Sequence, residues 1–170
     1  AVGTVLLMMP LAARDGVGAS FGDAVFTATS AACVTGLVVQ DTATYWSFWG
    51  QAIILVLIQI GGMGVVTAAA VLSAIAGRRI GLAQRSVMQE AISAPQIGGI
   101  VRITKFSVKM MASIETLGAI LLIVPFCREF GALRGAWYAV FHSVSSFCNA
   151  GFDIMGTKSG EFTSVTHYSA

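Results

Sequence analysis

Between Asp41 and Arg78 the chain runs for 36 residues without a charged side chain. An unbroken stretch of that length belongs in a large apolar core or in a lipid bilayer, whose hydrocarbon layer takes about 20 residues of helix to cross. Composition decides between them. The 170 residues are 56% hydrophobic and 11% charged, with a mean hydropathy of +0.81, whereas soluble domains carry roughly 25% charged residues. Disorder and low-complexity readings fail for the same reason. The expected fold class is therefore an all-α integral membrane protein, with one membrane helix over residues 48–76. A second membrane helix is expected over 106–127, where Lys109 and Glu115 are the only charged residues and LGAILLIVPF is uninterrupted. Residues 1–13 are apolar but too short to span, and read as the end of a helix.

Two further apolar stretches, Ala24 to Gln40 and Gly135 to Phe152, are marginal for crossing and rich in Ser, Thr, Cys and Ala. Each ends in a polar turn containing glycine, the pattern of a re-entrant segment that enters the membrane and returns to the same side. They are copies of one another. AVFTATSAACVTGL (24–37) over AVFHSVSSFCNAGF (139–152) pairs Ala24, Val25, Phe26, Ser30, Cys33 and Gly36 with Ala139, Val140, Phe141, Ser145, Cys148 and Gly151 without a gap. The register extends to Gly16 with Gly131 and Thr42 with Thr157. The repeat unit is membrane helix, re-entrant pore helix and filter loop, then membrane helix. Its first copy covers residues 1–76 with its pore loop at 24–42, and its second covers 105–170 with its pore loop at 139–157. A connector at 77–104 joins them.

Orientation follows from the basic residues. Arg78, Arg79, Arg85, Arg102, Lys105 and Lys109 cluster at the connector against Glu90 alone, which places the connector on the cytoplasmic side. The glycine turns then face outward, where Asp15, Asp23, Asp41, Glu129, Asp153 and Glu161 outnumber Arg14, Arg128, Arg134 and Lys158. An acidic mouth concentrates cations, although solvated surface charge explains the same residues.

Unpaired carbonyls in hydrocarbon cost several kcal/mol each, so irregular backbone at membrane depth survives only inside protein or beside water. Such carbonyls can replace the hydration shell of a cation, and glycine supplies the backbone angles that turn them to one side. Gly36 and Gly151 stand where this requires them.

TATSAACVTGLVVQDT (27–42) and VFHSVSSFCNAGFDIMG (140–156), with GRRIGLAQRSVMQEA (77–91) and ETLGAILL (115–122), resemble the Trk/Ktr/HKT superfamily of potassium transporters, in particular the bacterial KtrB-type membrane subunit. The resemblance implies four repeats around one pore, a filter of backbone carbonyls, and residence in a bacterial plasma membrane as a multi-pass protein. Carried over by position, Val34, Thr35 and Gly36 form the first filter strand and Asn149, Ala150 and Gly151 the second. Cys33 and Cys148 precede the strands as small packing residues. Potassium is the implied transported ion, sodium stays open as a coupling ion, and no cofactor is implied. The implied partners are the lipid bilayer, a second copy in a homodimer and a cytosolic nucleotide-binding regulatory subunit, with no nucleic acid. Two strands do not enclose a four-strand pore, so the chain reads as about half of such a protein.

Glu115 within a membrane helix favours a satisfied structural role over ion handling, and His142 reads as a hydrogen-bonded pore-helix residue rather than a proton relay. Gly61, Gly62 and Gly64 suggest close helix packing. Trp46, Trp49, Trp137 and Tyr138 are expected at the membrane interface. No nucleotide-binding loop, HExxH, GxSxG or paired-carboxylate arrangement is present, and the three cysteines show no CxxC spacing. An enzyme is therefore not expected. The competing function is a non-conducting intramembrane scaffold or assembly subunit, in which the glycine turns are packing devices.

Overall fold

A computed structural model of the chain describes residues 1–64 and 100–156. Its elements are α1 (Val2–Leu7), α2 (Phe21–Ala32), α3 (Phe48–Met63), α4 (Ile100–Phe130) and α5 (Ala132–Phe147). Among the described residues there is no strand, only an isolated antiparallel bridge between Ala13 and Trp46. The chain divides into two compact units, Ala1–Gly62 with Glu115–Ala170, and Met63–Ile114. In the second, the described residues are 63, 64 and the first part of α4, where the Ser113 hydroxyl donates to the Lys109 carbonyl at 2.8 Å.

Each helix boundary has a local cause. α2 starts at Phe21, three residues ahead of the apolar stretch, because the Ser20 hydroxyl accepts from the Asp23 amide at 3.1 Å and caps the first turn. Asp23 in that turn complements the helix dipole. α5 starts at Ala132, seven residues before the aligned segment, directly behind Gly131 at φ 82°. That left-handed residue reverses the chain out of α4, and Gly135 seats the new helix against the Cys127 backbone, where a Cβ would lie 2.5 Å from its nitrogen. α3 ends at Met63 and Gly64 has φ 79°. The helix expected to continue to residue 76 thus stops at Met63 within the described residues, and 65–76 lie outside them, as do connector residues 77–99 and residues 157–170.

One described helix, over Lys105–Phe130, is long and apolar enough to cross a membrane, with a mean hydropathy of 1.9. Its Leu117, Ile120, Leu121 and Val124 are all more than half exposed, an apolar surface that a soluble monomer does not display at this length. α3 is apolar but has 16 residues, about 24 Å at 1.5 Å per residue and short of a 30 Å core.

The core gathers Leu7, Trp46, Ile54, Ile58, Phe141, Phe152, Ile154 and Met155, all essentially without exposure. Trp46 corrects the expectation of an interfacial residue. It is fully buried beside the bridge, where the Arg14 amide donates to the Tyr45 carbonyl at 3.0 Å and the Ser47 amide to the Ala12 carbonyl at 2.9 Å. This pairing ties the segment ahead of α2 to the segment ahead of α3 and folds the indole inward. Tyr138 is also buried, Trp49 remains 61% exposed, and Trp137 donates from Nε1 to Gln51 Oε1 at 2.9 Å.

Candidate functional site

The segments following α2 and α5 share one backbone pattern, residue for residue at the 115-residue offset. After α2 the amides of Cys33, Val34 and Thr35 donate to the carbonyls of Thr29, Ala31 and Ser30 at 2.8, 3.3 and 3.0 Å. After α5 the amides of Cys148, Asn149 and Ala150 donate to the carbonyls of Val144, Ser146 and Ser145 at 2.9, 3.0 and 2.7 Å. Both are Schellman closures, which normally place glycine at the left-handed position. Here that position holds Val34 at φ 57° and Asn149 at φ 56°. Asparagine tolerates this region, but a β-branched valine in it is an outlier, a strain that clusters at functional sites. Two residues later the sign is positive again, at Gly36 (φ 71°) and Gly151 (φ 73°), while Thr35 and Ala150 between them are not in the left-handed region. Each loop thus returns to the left-handed side two residues after its helix closes, at a glycine that carries no Cβ penalty there.

The fold brings the two loops together. A Cβ on Gly36 would lie 2.5 Å from the Ala150 carbonyl oxygen and 3.2 Å from the Gly151 Cα. A Cβ on Gly151 would lie 3.5 Å from the Gly36 Cα. Of the six sequence-derived site residues, Gly36, Ala150 and Gly151 therefore meet directly, and the two loops touch at their glycines.

The end of α3 supports both loops from one side. A Cβ on Gly61 would overlap the Ala32 carbonyl and stand 2.9 Å from Val34 Cγ2, and one on Gly62 would overlap the Cys148 sulfur. The adjacent glycines thus serve one loop each. Cys148 packs there as a half-buried residue, whereas Cys33 is exposed, which corrects its reading as a packed one. One turn earlier on α3, Gln59 Nε2 donates to both carboxylate oxygens of Glu115 at 3.0 Å. Glu115 is 9% exposed, and its backbone carbonyl accepts from the Ser143 hydroxyl at 2.6 Å. Gln59 and Ser143 went unnoticed in the sequence because nothing local marks their partner.

Beyond the glycines the strands differ. The second continues inward through Phe152, Ile154 and Met155, all 2% exposed or less, while Leu37, Val38 and Val39 of the first are 61, 38 and 42% exposed. The serines shared by the repeat also diverge. Ser30 Oγ pairs with Thr35 Oγ1 at 2.9 Å, whereas Ser145, facing Ala150 instead of threonine, donates to the Phe152 carbonyl at 2.6 Å.

After the first loop Asp41 accepts from the Thr44 amide at 2.8 Å and from its hydroxyl. Burial pushes the Asp153 carboxyl above the usual range, and the charge of Asp41 adds to the rise while the Met155 amide opposes it. Burial likewise raises the Tyr45 phenol, helped by Asp15 and Asp23.

A family model described as TrkH, cation transport protein, matches residues 3–165. The chain belongs to this family of membrane cation transport proteins. Over 154 residues it is 43% identical to the potassium/sodium uptake protein NtpJ of Enterococcus hirae, covering 91% of this chain and 34% of that protein. It is 41% identical over 153 residues to the Ktr system potassium uptake protein B of Bacillus subtilis, covering 90 and 34%. To the protein of the same name from Vibrio alginolyticus it is 37% identical over 158 residues, covering 93 and 34%. The chain spans about a third of the length of these relatives. All three are named as uptake proteins rather than enzymes.

Proposed function

We propose that this chain supplies two filter strands of a potassium uptake transporter, in which the ion sheds water between backbone carbonyls of Val34, Thr35 and Gly36 and of Asn149, Ala150 and Gly151. The carrying observation is the repeated left-handed, other, left-handed backbone ending in glycines that touch across the two loops. A packing device needs one close glycine approach; it does not need the same pair of left-handed positions two residues apart in both loops. Backbone carbonyls of such loops can replace a cation's hydration shell. The names of the relatives support potassium as the substrate and leave sodium as a second or coupling ion.

In this reading α2 and α5 are pore helices, residues 1–76 and 105–170 are two repeats, and two more repeats of a longer chain complete the pore. The exposed Leu37, Val38 and Val39 are suited to cover by such a neighbour. The protein then works as a multi-pass subunit of a bacterial plasma membrane, pairs as a homodimer, and presents the basic connector at 77–104 to a cytosolic nucleotide-binding regulatory subunit.

The test is rubidium and sodium uptake by the full-length protein in cells lacking other potassium uptake, beside Gly36→Ser and Gly151→Ser variants of checked membrane abundance. Loss of rubidium preference in an abundant variant supports the filter. Unchanged preference, or no uptake by the parent, favours the scaffold.

A further inference from the structure

His142 of α5 is 5% exposed and sits among rings, its centroid 5.4 Å from Phe126, 5.9 Å from Phe141 and 6.3 Å from Tyr138. Its two nitrogens meet opposite partners. Nδ1 lies 2.8 Å from the Tyr138 carbonyl oxygen, which only accepts, so Nδ1 carries the hydrogen. Nε2 lies 3.4 Å from the Ile154 amide nitrogen, which only donates, so Nε2 is bare. The surroundings therefore specify the neutral Nδ1–H tautomer. Ile154 is three residues past Gly151 and fully buried, and the Ser145 bond to the Phe152 carbonyl is the second tie on the same strand.

We propose that His142 is a positioning residue for the second filter strand: its bare Nε2 holds the chain at Ile154, and a proton there sets two donors face to face and releases it. This inference rests on the filter reading above. The first loop has no counterpart, since Thr27 stands in the place of His142, and Val39, which corresponds to Ile154, is 42% exposed. The titratable groups around the ring are the Tyr138 phenol on its own helix and Asp153 on the strand, while α4 presents the Phe126 ring. Asp153, Ser145, Asn149 and Gly151 line with His142 a cavity of about 340 Å³.

The experiment measures rubidium and sodium uptake by the full-length protein from pH 8 down to about pH 4, because burial holds this imidazole below its ordinary value of about 6.5, for the parent, His142→Gln, His142→Leu and Gly151→Ser at checked abundance. The parent is expected to lose rubidium preference as pH falls, by up to about tenfold per unit once the imidazole titrates. The glutamine carbonyl accepts the Ile154 amide at any pH, so His142→Gln keeps the preference without the acid loss. The leucine variant loses preference about tenfold throughout, the equivalent of one hydrogen bond of about 1.4 kcal/mol. A parent indifferent to pH, a glutamine variant with the parent's acid loss, or an abundant leucine variant with normal preference overturns the inference. Should the leucine variant not reach the membrane, the glutamine arm decides. If Gly151→Ser keeps the parent's preference, the filter reading fails and this inference with it; if Gly151→Ser loses preference while the His142 variants behave as the parent, this inference alone fails.

Discussion

The loops at 33–39 and 148–154 begin alike and end differently. Their first three residues close the preceding helix with the same three hydrogen bonds and the same handedness. Their last three go to different environments: Leu37, Val38 and Val39 are exposed, whereas Phe152 and Ile154 are buried with Asp153 half-buried between them. The difference separates two kinds of constraint. Helix closure and the alternating backbone serve whatever the loop does and recur in both copies. Anchoring of the exit depends on what is available nearby: Phe152, Ile154 and Met155 find this chain's own core, along with Ser145 and His142, whereas Leu37 to Val39 stay 38 to 61% exposed among the described residues.

That contrast can be broken in four ways. The largest effect is expected at the glycines. Alanine at either position carries a left-handed penalty of about 1–2 kcal/mol, but at Gly36 the new methyl also displaces the Ala150 carbonyl at 2.5 Å, whereas at Gly151 its nearest neighbour stands 3.5 Å away. Gly36→Ala is therefore expected to weaken rubidium uptake about 100-fold and Gly151→Ala about tenfold, measured as apparent affinity at matched abundance. An equal or reversed order contradicts the geometry.

Next comes the Gln59–Glu115 pair, which Cys148 of the second loop approaches with its Sγ 4.0 Å from Glu115 Oε1. Gln59→Leu removes the donor to a buried carboxylate, a loss of about 1.5–3 kcal/mol for a bond to a charged group. Adding Glu115→Leu should recover part of it, because the double variant leaves no orphaned carboxylate. Thiol labelling checks the locality: Cys148 should become faster to label in Gln59→Leu and Cys33 should not.

Exchanging the left-handed residues has a smaller effect. Val34→Asn should raise stability by about 1 kcal/mol and Asn149→Val lower it by about the same, since asparagine fits the conformation that valine strains. Thermal unfolding in detergent measures both; equal shifts of one sign refute the strain argument.

The smallest effect is at Asp153, where the first loop has Val38. Burial raises this carboxyl above its unfolded value, near 3.9. The folded state thus holds the proton to higher pH than the unfolded state does, and stability falls as pH rises between the two values. Asp153→Asn removes that loss, and should raise the melting temperature by about 1–2 °C at neutral pH and leave it unchanged near pH 3. A shift at both pH values would point to packing instead.

Much of the site was legible because its chemistry is local. Ser30 and Ser145, Cys33 and Cys148, and Gly36 and Gly151 occur within a few residues of each helix end, where capping and left-handed turns are decided by neighbours in the chain. The apolar span at 105–130 was legible for a similar reason, since crossing a membrane demands a continuous run. Helix starts were less so: Ser20 and Gly131 act outside the aligned stretches.

By itself, then, the sequence determined the helical class, the repeat and the two glycine turns, all of which depend on short-range spacing and average apolarity. Tertiary structure decided that Gly36 meets the Ala150 carbonyl, that adjacent glycines of α3 serve one loop each, that Trp46 turns into the core, and that Gln59 finds Glu115. Each of these joins residues between 27 and 114 positions apart, or sets which face of an apolar segment is covered, and an apolar pattern is equally content with protein or lipid on either side. Only the packed chain distinguishes them.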